Sequence, residues 1–288
     1  MSETKTWFIT GASRGLGLAL TRTALDAGHR VVAVSRSGTA GEAHERLSTH
    51  ALDVRDRTAC RDTVARAVRE GGRIDVLVNN AGHGLVGAAE EVGESEAREI
   101  LDVDLLGPLW LTQAVLPVMR SQRSGHVVQV SSVGGVGSMP FLGLYNAAKW
   151  GLEGFSEALA GEVRPFGIRV TLAEIGGMDT AWGTGGMQFA SPLAEYDAVR
   201  EQVLGSASVP WDVAPGATSG GTDPWAIARE LLDLVGDEDD ERLRVLLGED
   251  APGQVAQVLG MRLDDYARDR RFSLGEDGRT SAQSRRSP

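Results

Sequence analysis

A chain of 288 residues, 42% apolar and 24% charged, has enough apolar side chains for one large α/β core, which excludes wholesale disorder. Acidic residues outnumber basic ones by 40 to 29, and the formal charge of −11 argues against nucleic acid or an anionic membrane as partner. A single cysteine, Cys60, excludes an internal disulfide; no run approaches the ~18 apolar residues of a membrane span, no signal-peptide pattern opens the chain, and a cytoplasmic protein is expected.

The apolar run Trp7-Phe8-Ile9 predicts a first strand, followed by a glycine-rich turn and a helix marked by Leu16, Leu20 and Leu25. Val31-Val32-Ala33-Val34 predicts a second strand and Ala51-Leu52 a short third. A helical stretch over 58–70 leads into a fourth strand at 74–78, and a long helical pattern over 94–120 leads into a strand at 127–130. A helix over 142–164 and a strand at 168–172 continue the alternation. Near-continuous β-branched runs separated by helices predict a doubly wound α/β fold, a parallel sheet with helices on both faces. Ligands then belong at the carboxyl ends of its strands.

After Gly176 the pattern changes. Residues 177–224, rich in Gly, Ser, Pro and Ala, predict a long substrate loop or lid. Its Trp182 and Trp211 either stack on a flat substrate or pack the lid onto the body. Asp223-Pro224-Trp225 predicts an N-cap and the start of a helix, 243–247 a last strand and 251–271 a last helix. With no repeat and no second core, residues 1–274 are expected to form one domain, and the polar tail 275–288 to be disordered.

Four motifs carry chemistry. Thr10-Gly11-Ala12-Ser13-Arg14-Gly15-Leu16-Gly17 stands between the first strand and first helix, where glycines let the backbone approach a pyrophosphate at a helix N-terminus. Arg14, in that turn, and Arg36, after the second strand, suit the extra 2′-phosphate of NADP, where NAD would call for a carboxylate; the bland reading is two solvated arginines. Asn79-Asn80-Ala81-Gly82 follows the fourth strand and holds two of the three asparagines in the chain; these tie strand ends together or form a plain turn. Finally, Ser132 follows the 127–130 strand, with Tyr145 and Lys149 further on along a helix.

The spacing of four puts the Tyr145 phenol and the Lys149 ammonium on one helix face. A nearby ammonium favours phenolate and is expected to draw the tyrosine toward working pH, while a serine hydroxyl polarises a carbonyl oxygen. Tyr196 and Tyr266 also precede a basic residue by four, but that residue is arginine, and Lys149 is one of only two lysines in the chain.

On these residues, with Asp53-Val54 after the third strand, the chain resembles a short-chain dehydrogenase/reductase of the single-domain kind over residues 5 to about 250. The resemblance implies a Rossmann-type fold, NADP(H) as cofactor, and hydride transfer between the nicotinamide and a carbonyl carbon. Tyr145 would be the acid–base group, Ser132 the carbonyl orienter, and Lys149 would bind ribose and tune the tyrosine. Gly11, Ser13, Arg14, Gly15, Leu16, Gly17, Arg36, Asp53, Val54, Asn80, Ala81, Gly82, Tyr145 and Lys149 would line the cofactor site, with Gly176, Met178 and Thr180 near its nicotinamide end. A homodimer or homotetramer contacting through the helices near 94–120 and 142–164 is also implied.

Two departures stand out. Asp104 occupies the place of a family asparagine that holds a relay water, which predicts a shifted pH dependence. Glu174-Ile175-Gly176-Gly177 lacks the usual proline before glycine, which loosens that backbone. The substrate is expected to be a partly apolar ketone, aldehyde or alcohol. The rivals are a non-catalytic NADP(H)-binding sensor, and a cyclase, dehydratase or isomerase on the same scaffold. The five histidines show no metal-ligand spacing, so no metal site is expected; His83, after Asn-Asn-Ala-Gly, either faces the active site or, the preferred reading, is a solvated loop residue, and Cys60 reads as an inert buried thiol.

Overall fold

The structure is a computed structural model that describes residues 4–180, 186–210 and 220–273. Its centre is a seven-stranded parallel sheet in the order β3-β2-β1-β4-β6-β7-β9. These strands are β1 (Thr6–Thr10), β2 (Arg30–Ser35), β3 (Leu47–Ala51), β4 (Val76–Asn79), β6 (Gly125–Val130), β7 (Ile168–Ile175) and β9 (Arg244–Leu247). Successive side chains point to opposite faces, so Trp7 and Ile9 join one core and Phe8 the other, and Val31 and Ala33 part from Val32 and Val34 in the same way. Both faces of the sheet are therefore apolar, which is why its strands read as continuous hydrophobic runs.

Helices α1 (Gly15–Asp26) and α7 (Pro224–Gly236) cover the first face through Leu16, Leu20, Ile227 and Leu231. The second is covered by α2 (Arg57–Gly71), α4 (Gly107–Gln122) and α5 (Gly143–Val163), through Val64, Leu111, Val115 and Leu159. Each such side chain contributes about 1.5–3 kcal/mol by leaving water. Asp223 caps α7 by accepting from Trp225 N at 3.1 Å, as its sequence predicts. Helix α8 (Ala251–Tyr266) follows β9.

Three features differ from the sequence expectation. The long helix is broken: α3 (Glu94–Leu101) passes through a π-helical turn at Asp102–Leu106 before α4 begins. Pro108 has no N–H to offer the Asp104 carbonyl four residues back, so regular α-helical bonding fails at this point. The run Glu94–Gln122 is long and apolar enough to cross a membrane, but Leu111, Val115 and Met119 pack on the sheet. In addition, the segment 177–224, read from sequence as a loop or lid, holds regular structure among its described residues. Its β8 (Met187–Phe189) pairs in parallel with β5 (Gly84–Val86), and α6 (Asp197–Leu204) follows. Trp182, Trp211 and the tail 275–288 lie outside the described residues.

Candidate active site

The chain winds outward from β1 to β3 and returns to β4, so the carboxyl ends of β1 and β4 flank a crevice. Thr10 joins the two strand ends. Its Oγ1 accepts from Asn80 N at 2.9 Å and Ala81 N at 2.8 Å, while Asn80 Nδ2 donates to Thr10 O at 2.8 Å. Asn79 points the other way, donating to Gln129 Oε1 at 2.9 Å and Thr112 Oγ1 at 3.2 Å. The asparagine pair thus ties strand ends together, one residue toward β1 and one toward β6.

A cleft of about 620 Å³ opens there. The glycine turn lines it with Gly11, Ser13, Arg14, Gly15 and Leu16, and Arg36 comes from the end of β2. Asp53 and Val54 follow β3, Asn80, Ala81 and Gly82 follow β4, and Met178 and Thr180 follow β7. Gly11 and Gly15 hold left-handed φ values of 65° and 53°. A Cβ on Gly17, below the cleft, would collide with the Gly11 carbonyl oxygen. The turn delivers the unpaired amides at the start of α1 to the cleft, so its bare backbone and positive helix end suit the pyrophosphate of a dinucleotide. Gly176 is not among the lining residues; it packs against Asp250 and donates to Leu247 O at 3.0 Å.

Tyr145 and Lys149, expected to line the cofactor site, are not among the cleft's lining residues, nor is Ser132; α5 holds the pair, 7% and 6% exposed, and Asp104 links this group to His83 in the cleft wall. Ser132 is hydrogen-bonded to Tyr145 and accepts from Gly134 N at 3.0 Å. Asn146 braces this loop, donating to Gly134 O at 2.9 Å and accepting from Met139 N at 3.3 Å. Lys149 Nζ donates to Val130 O at 3.1 Å, lies 5.8 Å from the centre of the Tyr145 ring, and sits 3.3 Å from Asp104 Oδ2. Asp104, at 1% exposure, is carried in by the π turn. The four groups, 45 residues apart at their extremes, converge on one chain of half-buried hydroxyl and buried phenol, ammonium and carboxylate.

The model of the short chain dehydrogenase family matches residues 5–186. The protein belongs to that family. It is 38% identical to oxidoreductase BOA17 of Botryotinia fuckeliana over 89% of this chain and 94% of that one. It is 40% identical to human 17-beta-hydroxysteroid dehydrogenase type 1, over 60% of this chain and 57% of the relative. Among solved structures, a short-chain dehydrogenase from Streptomyces avermitilis is 34% identical with a TM-score of 0.81, covering 93% of this chain and 98% of that one.

In this short-chain dehydrogenase the electrostatics of the buried chain differ from the sequence expectation. Burial pushes the Tyr145 phenol up and the Asp104 charge adds to it, while Lys149 and the Ser132 hydrogen bond offset only part. The phenol therefore lies above its ordinary value, because removing phenolate from water outweighs one ammonium that Asp104 already neutralises. Burial alone would lower Lys149, but Asp104, Tyr145 and Glu153 outweigh it and keep the ammonium above its ordinary value.

Of two further members of the site, His83 takes the less favoured of its two sequence readings and Arg55 is not evident from sequence. His83 is not a solvated loop residue: its backbone N–H donates to Asp104 Oδ1 at 3.0 Å, and its Nδ1 lies 3.4 Å from the same oxygen. Its position directly after Asn-Asn-Ala-Gly was the available signal. Arg55 forks onto Asp53, with Nη2 2.6 Å from Oδ2, and reaches Glu99 at 3.2 Å. Its hydrogen bonds, with Arg36 adding, hold the Asp53 carboxyl below its ordinary value. Cys60 is buried and its thiol is pushed up to about 12 by burial, in keeping with an inert core residue.

Proposed function

We propose that this short-chain dehydrogenase is an NADP(H)-dependent oxidoreductase that interconverts a ketone or aldehyde with its alcohol. The observation that carries the reading is the Ser132–Tyr145–Lys149–Asp104 chain, which Asp104 joins to His83 in the wall of the glycine-cradled cleft. When bound, the nicotinamide supplies the hydride to the carbonyl carbon or takes it up from the alcohol.

The chain's own residues handle the oxygen. Ser132 Oγ orients the carbonyl oxygen and Tyr145 gives it a proton, while the Lys149 ammonium stabilises the phenolate left behind. In oxidation the phenolate takes the alcohol proton back. Asp104 keeps Lys149 charged at either stage. Arg14 and Arg36, both facing the cleft, support a preference for the 2′-phosphate of NADP(H). Phe141, Val86 and Met187 share one apolar cluster, which Leu142 joins to the group around Tyr145 and Met187 to the cleft, and this supports a partly apolar substrate, in line with the name of the human relative.

Two measurements test this. Tyr145→Phe is expected to lower turnover of a ketone about 10²–10⁴-fold while leaving dinucleotide affinity in place. Arg14→Ala and Arg36→Ala are each expected to weaken NADPH about 10–100-fold and NADH hardly at all, since each removes a charge-assisted hydrogen bond to phosphate. Full turnover by Tyr145→Phe, or equal loss of both cofactors, would overturn the assignment.

A further inference from the structure

Among the described residues Arg200 is the only fully buried arginine, at 0% exposure. Such burial demands partners for a guanidinium that cannot give up its charge. Its Nη1 donates to Asp197 Oδ1 at 2.7 Å and Ala207 O at 2.9 Å, both on its own segment. Its Nη2 donates to Glu91 Oε1 and, at 3.5 Å, to Leu193 O. Glu91, equally buried, also accepts from Leu193 N at 2.8 Å and Ala88 N at 2.7 Å. Burial alone would push the Glu91 carboxyl up; the two backbone donors and Arg200 outweigh it and hold it below its ordinary value. One ion pair therefore fastens the α6 segment to the turn after β5.

A third segment enters from the loop that leads into Tyr145. The ring of Phe141 lies under the guanidinium, its centroid 5.6 Å from Cζ, and edge-on to Tyr196 at 6.4 Å. Its φ of 68° is left-handed, a conformation that a bulky residue keeps only where its surroundings impose it. The Phe141 carbonyl accepts from Gly87 N at 2.8 Å, and the Tyr196 hydroxyl donates to Glu90 at 3.0 Å. From this cluster two residues reach the site: Leu142 also packs in the group around Tyr145, and Met187 also lines the cofactor cleft.

We propose that the Arg200–Glu91 pair, with Phe141 stacked on it, is a specificity-determining clamp that fixes an apolar wall for the hydrocarbon body of a bulky ketone or alcohol. The inference rests on the oxidoreductase reading and adds which groups select the substrate. These are positioning residues. A small ketone needs only the hydroxyls of Ser132 and Tyr145, whereas a bulky one also needs the wall held in one shape. Directional pairing suits that task, because a buried ion pair specifies geometry rather than adding stability over apolar side chains of similar size.

The test is calorimetric titration of the full-length protein loaded with NADP⁺, which cannot reduce a ketone, with cyclohexanone and with trans-1-decalone, a readout that does not depend on turnover. Arg200→Lys keeps the charge but loses the fork and the stacking. It is expected to weaken decalone at least ~10-fold while cyclohexanone and NADP⁺ stay within about 2-fold. Arg200→Met leaves a buried lone carboxylate and is prone to misfolding, so the second variant is Arg200→Met/Glu91→Leu. That protein is expected to melt cooperatively and to show the same selective loss. Equal weakening of both ketones, parental decalone affinity in the double variant, or no ketone binding by the parent would each overturn the clamp. Parental binding of decalone without turnover when NADPH is supplied would instead defeat the oxidoreductase reading and leave the clamp to the variants.

Discussion

Replacing Asp104 with asparagine removes one charge and almost no volume. The carboxylate oxygen lies 3.3 Å from Lys149 Nζ, with both side chains nearly out of solvent. At that separation, with an effective dielectric constant of about 20, the attraction is roughly 5 kcal/mol. Burial costs consume much of it, and breaking a buried pair usually destabilises by about 3–5 kcal/mol. Lys149 keeps its bond to Val130 O, so a loss near ~3 kcal/mol is expected. The functional signature is sharper. Asp104 raises Tyr145, so its removal lowers the phenol, and the limb of alcohol oxidation that needs phenolate moves toward lower pH. Asp104 also raises Lys149, so the alkaline limit set by the ammonium moves in the same direction. A shift of one pH unit corresponds to about 1.4 kcal/mol, well within the energy of this pair. Initial oxidation rates across pH, followed by nicotinamide absorbance, measure both limbs. An unchanged profile in a folded Asp104→Asn variant would refute the coupling.

Two further outcomes are expected. A Cβ at Gly134 would stand 2.9 Å from Asn146 Nδ2, 3.1 Å from Tyr145 Cε1 and 3.4 Å from Ser132 Oγ, so Gly134→Ala should lower kcat about 10–100-fold with dinucleotide affinity kept, as steady-state kinetics and fluorescence titration would show. Glu174 is pushed up to about 7 by burial and by Glu153, with Arg244 offsetting part. Its folded value exceeds its ordinary 4.5, so the native state holds a proton that the unfolded chain releases, and stability falls as pH rises between about 4.5 and 7. Glu174→Gln removes that loss and should gain about 2 kcal/mol at pH 8, or roughly 4 °C in Tm, but little at pH 4.5, by calorimetry at both pH values.

Most of the fold was legible because it follows from local periodicity. Val31 to Val34, Val127 to Val130 and Ile168 to Leu172 could only be doubly buried strands, and the order of turn, asparagine pair, serine, tyrosine and lysine placed the site at their carboxyl ends. Asp223-Pro224 announced α7 through capping chemistry alone. The short pair β5–β8 escaped notice because three residues joined across 103 positions leave no periodic trace. The π turn escaped because a long apolar pattern conceals one missing hydrogen bond at Pro108.

Sequence by itself determined that the Tyr145 phenol and the Lys149 ammonium stand together: residues four apart on a helix share a face whatever surrounds them. Only the tertiary structure decided their electrostatic balance. Whether Lys149 lowers Tyr145 depends on how much water burial removes and on Asp104, 41 residues away from the phenol along the chain, standing beside the ammonium. The same holds for His83 against Asp104 and for Arg200 against Glu91 and Phe141. Desolvation and Coulomb energy depend on distances through space, and those distances exist only once the chain has packed.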